Sequence, residues 1–279
     1  MKAFLFSILG WSISAWGFIP SVPDMLKEVT TGRKGGAVEI VLKHRIAVRG
    51  SGTIEIEERI FDEKNKTLFI WSGSPFPQPT AGSLEGMNYK IHDQTLPTKS
   101  LVLVRYLTAN GPDELRDSLI SERMIRRDHL NQFKPGFNPE GDPQTWQIKD
   151  NYLVHPEVYL KRLESGIAYA VSGTEEGPEL RQVLFDRALK GIRRFEWREG
   201  ETIQSWNCEG FSPVPAGGNY PRRIFFENNG SEVIQSDLLT VRALNARSLT
   251  EFKNSWRAAD RAALTQNGEG ILKLLMSYR

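Results

Sequence analysis

The sequence predicts a mainly β (α+β) protein, a curved antiparallel sheet forming a half-open β-barrel covered by helices. Three observations predict it. Two long early segments, 37–49 and 53–62, alternate apolar and charged side chains with a period of two, as half-buried strands do. Further candidate strands between 167 and 244 are joined by short polar turns. Between these blocks, residues 97–130 carry helical spacing, and a second helical stretch follows at 248–279.

Residues 1–17 read as a secretory signal. Met1 and Lys2 lead into an apolar stretch that ends in Ala15-Trp16-Gly17, with small residues where a peptidase would cut before Phe18. The stretch falls short of the roughly 20 residues of a membrane span, and Ser7, Ser12 and Ser14 dilute it. Residues 18–279 are expected as a single exported, soluble domain with a helical insertion at 97–130 and a helical tail at 248–279. No second apolar span suggests a stable transmembrane anchor, so the expected location is the periplasm.

Pro23 sits near the start of a short helix over 24–29, stopped at Gly32. In 37–49, Val38, Ile40, Leu42, Ile46 and Val48 alternate with Glu39, Lys43, Arg45 and Arg49. Gly50-Ser51-Gly52 turns the chain, and Ile54, Ile56 and Ile60 carry the alternation through 53–62. A third strand at 67–71 extends the meander. Pro75, Pro77 and Pro79 make 72–86 an exposed loop, followed by a short strand around Tyr89. In the insertion, Leu101, Val104 and Thr108 line one side of a helix, with Leu103, Tyr106 and Leu107 beside them. After Gly111-Pro112 the spacing resumes with Leu115, Leu119, Ile120 and Met124.

Residues 134–143 read as a loop, 145–154 as strand and 156–163 as a brief helix. Strands then follow at 167–171, 180–186, 192–199, 202–207, 222–227 and 233–244, with Glu199-Gly200-Glu201 and Asn228-Asn229-Gly230 as hairpin turns. In the tail, Trp256 and Ala263 fall in helix, Gly268 and Gly270 break it, and Leu272, Leu275 and Met276 are expected to lie against the sheet.

Composition excludes several functions. The 36 basic and 34 acidic residues give a net charge of +2, too balanced for the basic face a nucleic-acid partner needs. The single cysteine, Cys208, rules out an internal disulfide and a cysteine zinc site, and it lies too far from the cut to be an acylated first residue. It reads as a small, half-buried strand side chain. His92, His129 and His155 are dispersed without metal-ligand spacing, so neither metal nor cofactor is expected. There is no Gly-x-Ser-x-Gly, phosphate-cradling loop or paired-carboxylate signature, and no enzyme is expected. His44 and Glu58 stand at inward positions of their strands. A turn at 50–52 pairs residues whose numbers sum to about 102, which sets the two across from one another. An acid and an imidazole in a cavity can transfer a proton; a buried pair satisfied by its own hydrogen bond is the other reading.

A curved sheet must hide its concave apolar face, and helices are the natural cover. The result is either a filled core or a cavity stoppered by a movable plug, with 97–130 as the plug. The candidate hydrophobic lining comes from Ile40, Leu42, Ile54 and Ile56 of the first hairpin, Phe69 and Trp71 of the third strand, and Leu101 and Val104 of the insertion. Phe195, Trp197, Trp206 and Phe226 of the later strands complete it. Strand aromatics serve equally well as core filling.

This order of elements resembles the LolA-like family of periplasmic lipoprotein carriers and outer-membrane lipoprotein-sorting proteins. The stretches most alike are 37–73 and 180–244, with Leu184-Phe185-Asp186-Arg187, Tyr220-Pro221-Arg222-Arg223-Ile224 and Leu238-Leu239-Thr240-Val241 as successive strands. The resemblance implies a half-open barrel that binds lipoprotein acyl chains or other amphiphilic lipids and carries them across the periplasm. It also implies a basic residue on the early strands that holds a closed lid; Arg59 is the nearest candidate, with a solvated strand arginine as the other reading. The helical stretch 250–279 departs from a simple carrier and points to a diverged member. The alternative is a cell-envelope interaction or structural module of the same fold, binding another chain through a sheet edge or the loop at 75–79.

Overall fold

The computed structural model describes residues 20–48, 52–63, 66–126, 147–149, 152–154, 158–163, 166–172, 179–186, 188–262 and 264–279. The expected signal at 1–17, the loop at 134–143, His129 and His155 lie outside them. After α1 (Val22–Thr30) come the long strands β1 (Val38–Val48), β2 (Gly52–Glu63) and β3 (Lys66–Gly73). The shorter β4 (Thr80–Glu85), β5 (Asn88–Ile91) and β6 (Gln94–Pro97) follow. Two helices interrupt, α2 (Val102–Thr108) and α3 (Pro112–Ser121). The second strand block contains β7 (Gln147–Lys149), β8 (Tyr152–Val154), β9 (Val158–Leu163), β10 (Gly166–Ser172), β11 (Glu179–Asp186), β12 (Gly191–Glu199) and β13 (Thr202–Glu209). It continues with β14 (Ser212–Pro213), β15 (Asn219–Tyr220), β16 (Arg223–Asn228) and β17 (Ser231–Ala243), before α4 (Ala246–Ala259) and α5 (Gln266–Ser277).

Thirteen of these strands form one antiparallel sheet in the order β6-β5-β4-β3-β2-β1-β17-β16-β13-β12-β11-β10-β9. Each block is a meander, and β17 returns to pair with β1, so the first and last strands lie together in the middle. The sheet is open: β6 and β9 end it without pairing to each other. The pairs β7–β8 and β14–β15 stand apart from it.

Period-two alternation decides the faces. Ile40, Leu42 and Ile46 of β1 join Ile56 and Ile60 of β2 in one apolar cluster that also takes side chains from α1, α2, α3 and α5. We call this the inner face. Phe61, Leu68, Ile70 and Ala81 point the other way and are covered by Phe252 and Ala259 of α4. The helical tail is therefore split across the sheet. Asn245 caps α4 by accepting from Ser248 N, while the Ser248 hydroxyl accepts from Asn245 N, a reciprocal arrangement that fixes the helix start at the end of β17.

Three local expectations are corrected. Residues 80–85 of the expected loop form β4, because the prolines stop at Pro79 and the chain beyond is free to pair with β3. Gly82 is required inside that strand: a Cβ there would lie 2.6 Å from the Trp71 ring. The expected helix at 156–163 is instead the strand β9, whose ladder with β10 runs from Val158–Val171 to Leu163–Gly166. Gly268 and Gly270 lie within α5, and the break between the tail helices falls before Thr265, whose hydroxyl accepts from Gly268 N at 3.1 Å. A side chain at Gly268 would collide with Phe76, so the glycine lets the helix approach the proline-rich segment.

Candidate functional site

The twelve residues expected to line a hollow converge on one cluster. Ile40, Leu42, Ile56, Phe69, Trp71, Leu101, Val104, Phe195, Trp206 and Phe226 are buried in the inner-face core, and Ile54 and Trp197 pack half-buried against it. Their side chains meet those of the helices: Tyr106 of α2 makes an edge contact with Phe195 at 5.7 Å, and Phe226 packs on Tyr278 at 4.7 Å. Leu272, Leu275 and Met276 of α5 are buried in the same cluster.

Within this apolar wall sits a charged knot. His44 and Glu58 are fully buried, but the register of the first hairpin differs from expectation: Glu58 faces Leu42 and His44 faces Ile56. The numbers of paired residues sum to 100, not 102, because Val48 pairs with Gly52 and the hairpin is centred one residue earlier. The two side chains still meet diagonally, His44 Nε2 lying 3.0 Å from Glu58 Oε2. Glu58 Oε1 also accepts from Trp71 Nε1 at 2.8 Å. Arg279, beyond α5, donates to both carboxylate oxygens, at 2.7 and 2.5 Å. Its backbone oxygen is held by Lys99 N at 2.7 Å and by the Thr98 hydroxyl. A single arginine after an apolar helical run was the one hint of this residue in the sequence, and hydrophobic spacing does not register it.

On its other side His44 Nδ1 lies 2.7 Å from Ser236 Oγ. Serine, imidazole and carboxylate in this order are the atoms of a hydrolytic triad. All three side chains are completely buried, and Arg279 already claims the carboxylate, so no substrate can reach the hydroxyl in this arrangement. The network is satisfied with His44 neutral, Nε2–H donating to Glu58 and Nδ1 accepting from Ser236. Burial pushes His44 below its ordinary value of 6.5, the Glu58 hydrogen bond and charge push back, and the Arg279 charge adds to the lowering. Burial opposes ionisation of Glu58, but the Arg279 charge and the His44 hydrogen bond outweigh it and hold the carboxyl well below the usual carboxylate range.

The sign of the linkage follows. Below pH 6.5 the unfolded chain protonates its histidine while native His44 stays neutral, so stability falls as pH drops through 6.5 toward the lowered native value. Glu58 adds a second loss below its ordinary 4.5, as pH falls toward its depressed native value. The wild-type protein is expected to lose up to about 1.4 kcal/mol per pH unit from His44 between pH 6.5 and 5, and His44→Gln to flatten that segment. Urea melts at half-unit pH steps check this; equal slopes for the two proteins would contradict it.

The cover is fastened at its ends by polar groups. Arg33 Nη1 donates to the carbonyls of Tyr106 and Ala109 at the end of α2, at 2.5 and 3.0 Å, with its guanidinium over the rings of Tyr220 and Tyr106. Glu122, after α3, accepts from Leu101 N at 2.9 Å, and Arg181 of β11 donates to the Glu122 carbonyl at 3.0 Å. Arg105 of α2 reaches Asp62 of β2 at 3.5 Å. Arg59 takes no part. It lies on the outer face, bonded to buried Glu39 at 2.6 Å and stacked over Phe252 of α4, so it is neither a lid contact nor a solvated arginine.

A cleft of about 640 Å3 opens beside the end of α5, touched by Trp197 and Phe226 of the expected lining and by Tyr278 and Arg279. Cys208 is buried, and burial pushes its thiol far up. His92 stands on an exposed turn. Among the described residues no cluster of three histidine, cysteine or carboxylate side chains is placed to hold a metal ion. The segment at 75–79 is tied down, with Phe76 buried and the Pro75 carbonyl accepting from the Thr265 hydroxyl at 3.3 Å. No helix among the described residues is long and apolar enough to cross a membrane.

No protein-family model matches the chain, and no curated protein matches it in sequence. Among solved structures it is similar to the LolA superfamily protein NE2245 from Nitrosomonas europaea, with a TM-score of 0.47 and 11% identity over 81% of this chain and 95% of that one. It is also similar to a putative outer membrane lipoprotein-sorting protein domain from Vibrio parahaemolyticus, with a TM-score of 0.42 and 7% identity over 84% and 97% of the two chains. The Pseudomonas aeruginosa MucA/MucB complex gives a TM-score of 0.24 and 9% identity over 82% and 60%.

Proposed function

We propose that the protein is an exported binder and carrier of lipoprotein acyl chains or other amphiphilic lipids in the bacterial periplasm, acting without chemistry. One observation carries this reading: the inner face of an open sheet is apolar along most of its strands, and short helices cover it. α2 and α3 have seven and ten residues, too short to be stable alone, and discrete polar contacts from Arg33, Glu122 and Arg105 fasten them. Displacing them uncovers Leu101, Val104, Phe195 and their neighbours. An acyl chain entering that space gains about 0.8 kcal/mol per buried methylene, which for a long chain is on the order of 10 kcal/mol, enough to replace the helices' own contacts. The apolar stretch at 3–17 supports export.

Native mass spectrometry of the protein purified from an envelope fraction tests the reading. A bound amphiphile at a defined stoichiometry is the expected result, and a clean apoprotein mass counts against it. A filled interior favours one other reading, an envelope interaction module whose helices never leave. In that case partners co-purify and lipid does not.

A further inference from the structure

One carboxylate in the charged knot serves two cations. Glu58 Oε2 receives His44 Nε2 at 3.0 Å and Arg279 Nη2 at 2.5 Å, and those two nitrogens lie 3.4 Å apart. With His44 neutral, the knot holds one negative and one positive charge and is balanced. A proton arriving on His44 Nδ1 leaves one carboxylate between two cations, in a site where none of the three side chains is more than 1% exposed. The Ser236 hydroxyl, which donates to Nδ1, must then turn and accept. Trp71 Nε1 goes on donating to Glu58 Oε1. Tyr89 of β5 also faces Arg279, and burial pushes its phenol up, so it stays neutral. A surplus charge in a buried site is costly, so either the proton is refused or one cation leaves.

His44 and Glu58 sit on β1 and β2, each held by a neighbouring strand on both sides in the middle of the sheet. Arg279 hangs on α5, a twelve-residue helix containing Gly268 and Gly270 that docks through Ile271, Leu272, Leu275 and Met276. Such a helix is too short and too glycine-rich to persist alone, so its docking and its folding go together. Of the two cations, Arg279 is the one that can leave. We propose that Glu58 is a two-position clasp: at neutral pH it holds Arg279 and with it α5, and on acidification protonated His44 takes the carboxylate and α5 is released from the inner face. The knot is balanced in both positions. Departure of α5 uncovers Phe226, on which Tyr278 packs. The device goes beyond the carrier reading and holds whatever the inner face binds.

Native-state hydrogen exchange of the full chain, at half-unit steps from pH 7 to 5 and corrected for the intrinsic rate at each pH, tests the clasp. Amides of α5 are expected to exchange through an opening far more frequent than the global unfolding read from β1. Below pH 6.5 that opening should rise by up to about tenfold per pH unit, one proton being taken up each time. His44→Gln, which stays uncharged, should flatten the rise. It keeps Asp62 and Glu122, the other carboxyls that burial raises, so a rise that persisted would be theirs. Arg279→Met should also flatten it, although α5 is looser at pH 7, because protonated His44 then finds Glu58 unclaimed. Should His44→Gln fail to fold, Arg279→Met decides alone. An α5 opening indifferent to pH in the wild type, one that coincides with that of β1, or a rise that survives in either variant overturns the proposal.

Discussion

Glu58→Ala is expected to cost about 3–5 kcal/mol of folding stability, the price of stranding one member of a buried ion pair. The carboxylate receives Trp71, His44 and two bonds from Arg279, and neither charged partner is exposed. Without it the guanidinium sits in an apolar wall with no counter-charge. Its one escape is to withdraw, which drags the end of α5 and its buried Leu275 and Met276 away from the sheet. Urea denaturation should therefore show the lost stability, and hydrogen exchange should show α5 amides losing protection before those of β1. Replacing both partners, Glu58→Met with Arg279→Met, should cost far less, because two apolar chains of similar volume leave no orphaned charge. A loss below about 1 kcal/mol for Glu58→Ala would place the pair in water, contrary to its geometry.

Arg33→Ala should act on the cover. The guanidinium occupies the end of α2, where the last carbonyls have no partner within the helix, and it stacks on two tyrosines. Losing charge-assisted bonds to buried carbonyls should cost about 2–3 kcal/mol. α2 amides should exchange faster, and an apolar dye should bind the variant more strongly as the inner face becomes reachable. Arg33→Lys should recover only part of this, since an ammonium can bond the carbonyls but has no planar face to lay over the rings of Tyr106 and Tyr220. Unchanged exchange in α2 would show that apolar packing alone holds the helix.

The parts of this fold that the sequence disclosed are those where one physical rule acts alone. The alternation of Val38, Ile40, Leu42 and Ile46 with charged residues marks β1 because one of its faces is apolar and the other polar. Leu103, Tyr106 and Leu107 mark α2 by their helical period, although the helix is buried nearly all round and only Arg105 is left partly exposed. Where two rules compete, the reading slips. β9 is short and follows Pro156, so its strand character comes from pairing with β10, a contact distant periodicity cannot announce. β4 hides behind three prolines, and its Gly82, a strand-weakening residue, is there to admit Trp71. The meeting of His44 and Glu58 was legible although the register was off by two, because a two-residue slip preserves which face a side chain takes. Arg279 was not legible, since its role depends on where a helix ends relative to a strand more than two hundred residues away.

β17 carries a spare residue. Its pairing with β1 shifts between Val41 and Leu42, so that Thr240 faces Val41, Leu238 faces Leu42, and Leu239 faces nothing and stands 48% exposed. Such an irregularity lets the chain keep Val241 and Leu238 on the same side despite their odd separation. Excising Leu239 leaves the ladder matched on both flanks, with Val241 still opposite Ile40 and Ser236 still opposite His44. The most central strand of the sheet thus contains a position where its length can change by one without disturbing the wall it helps to build.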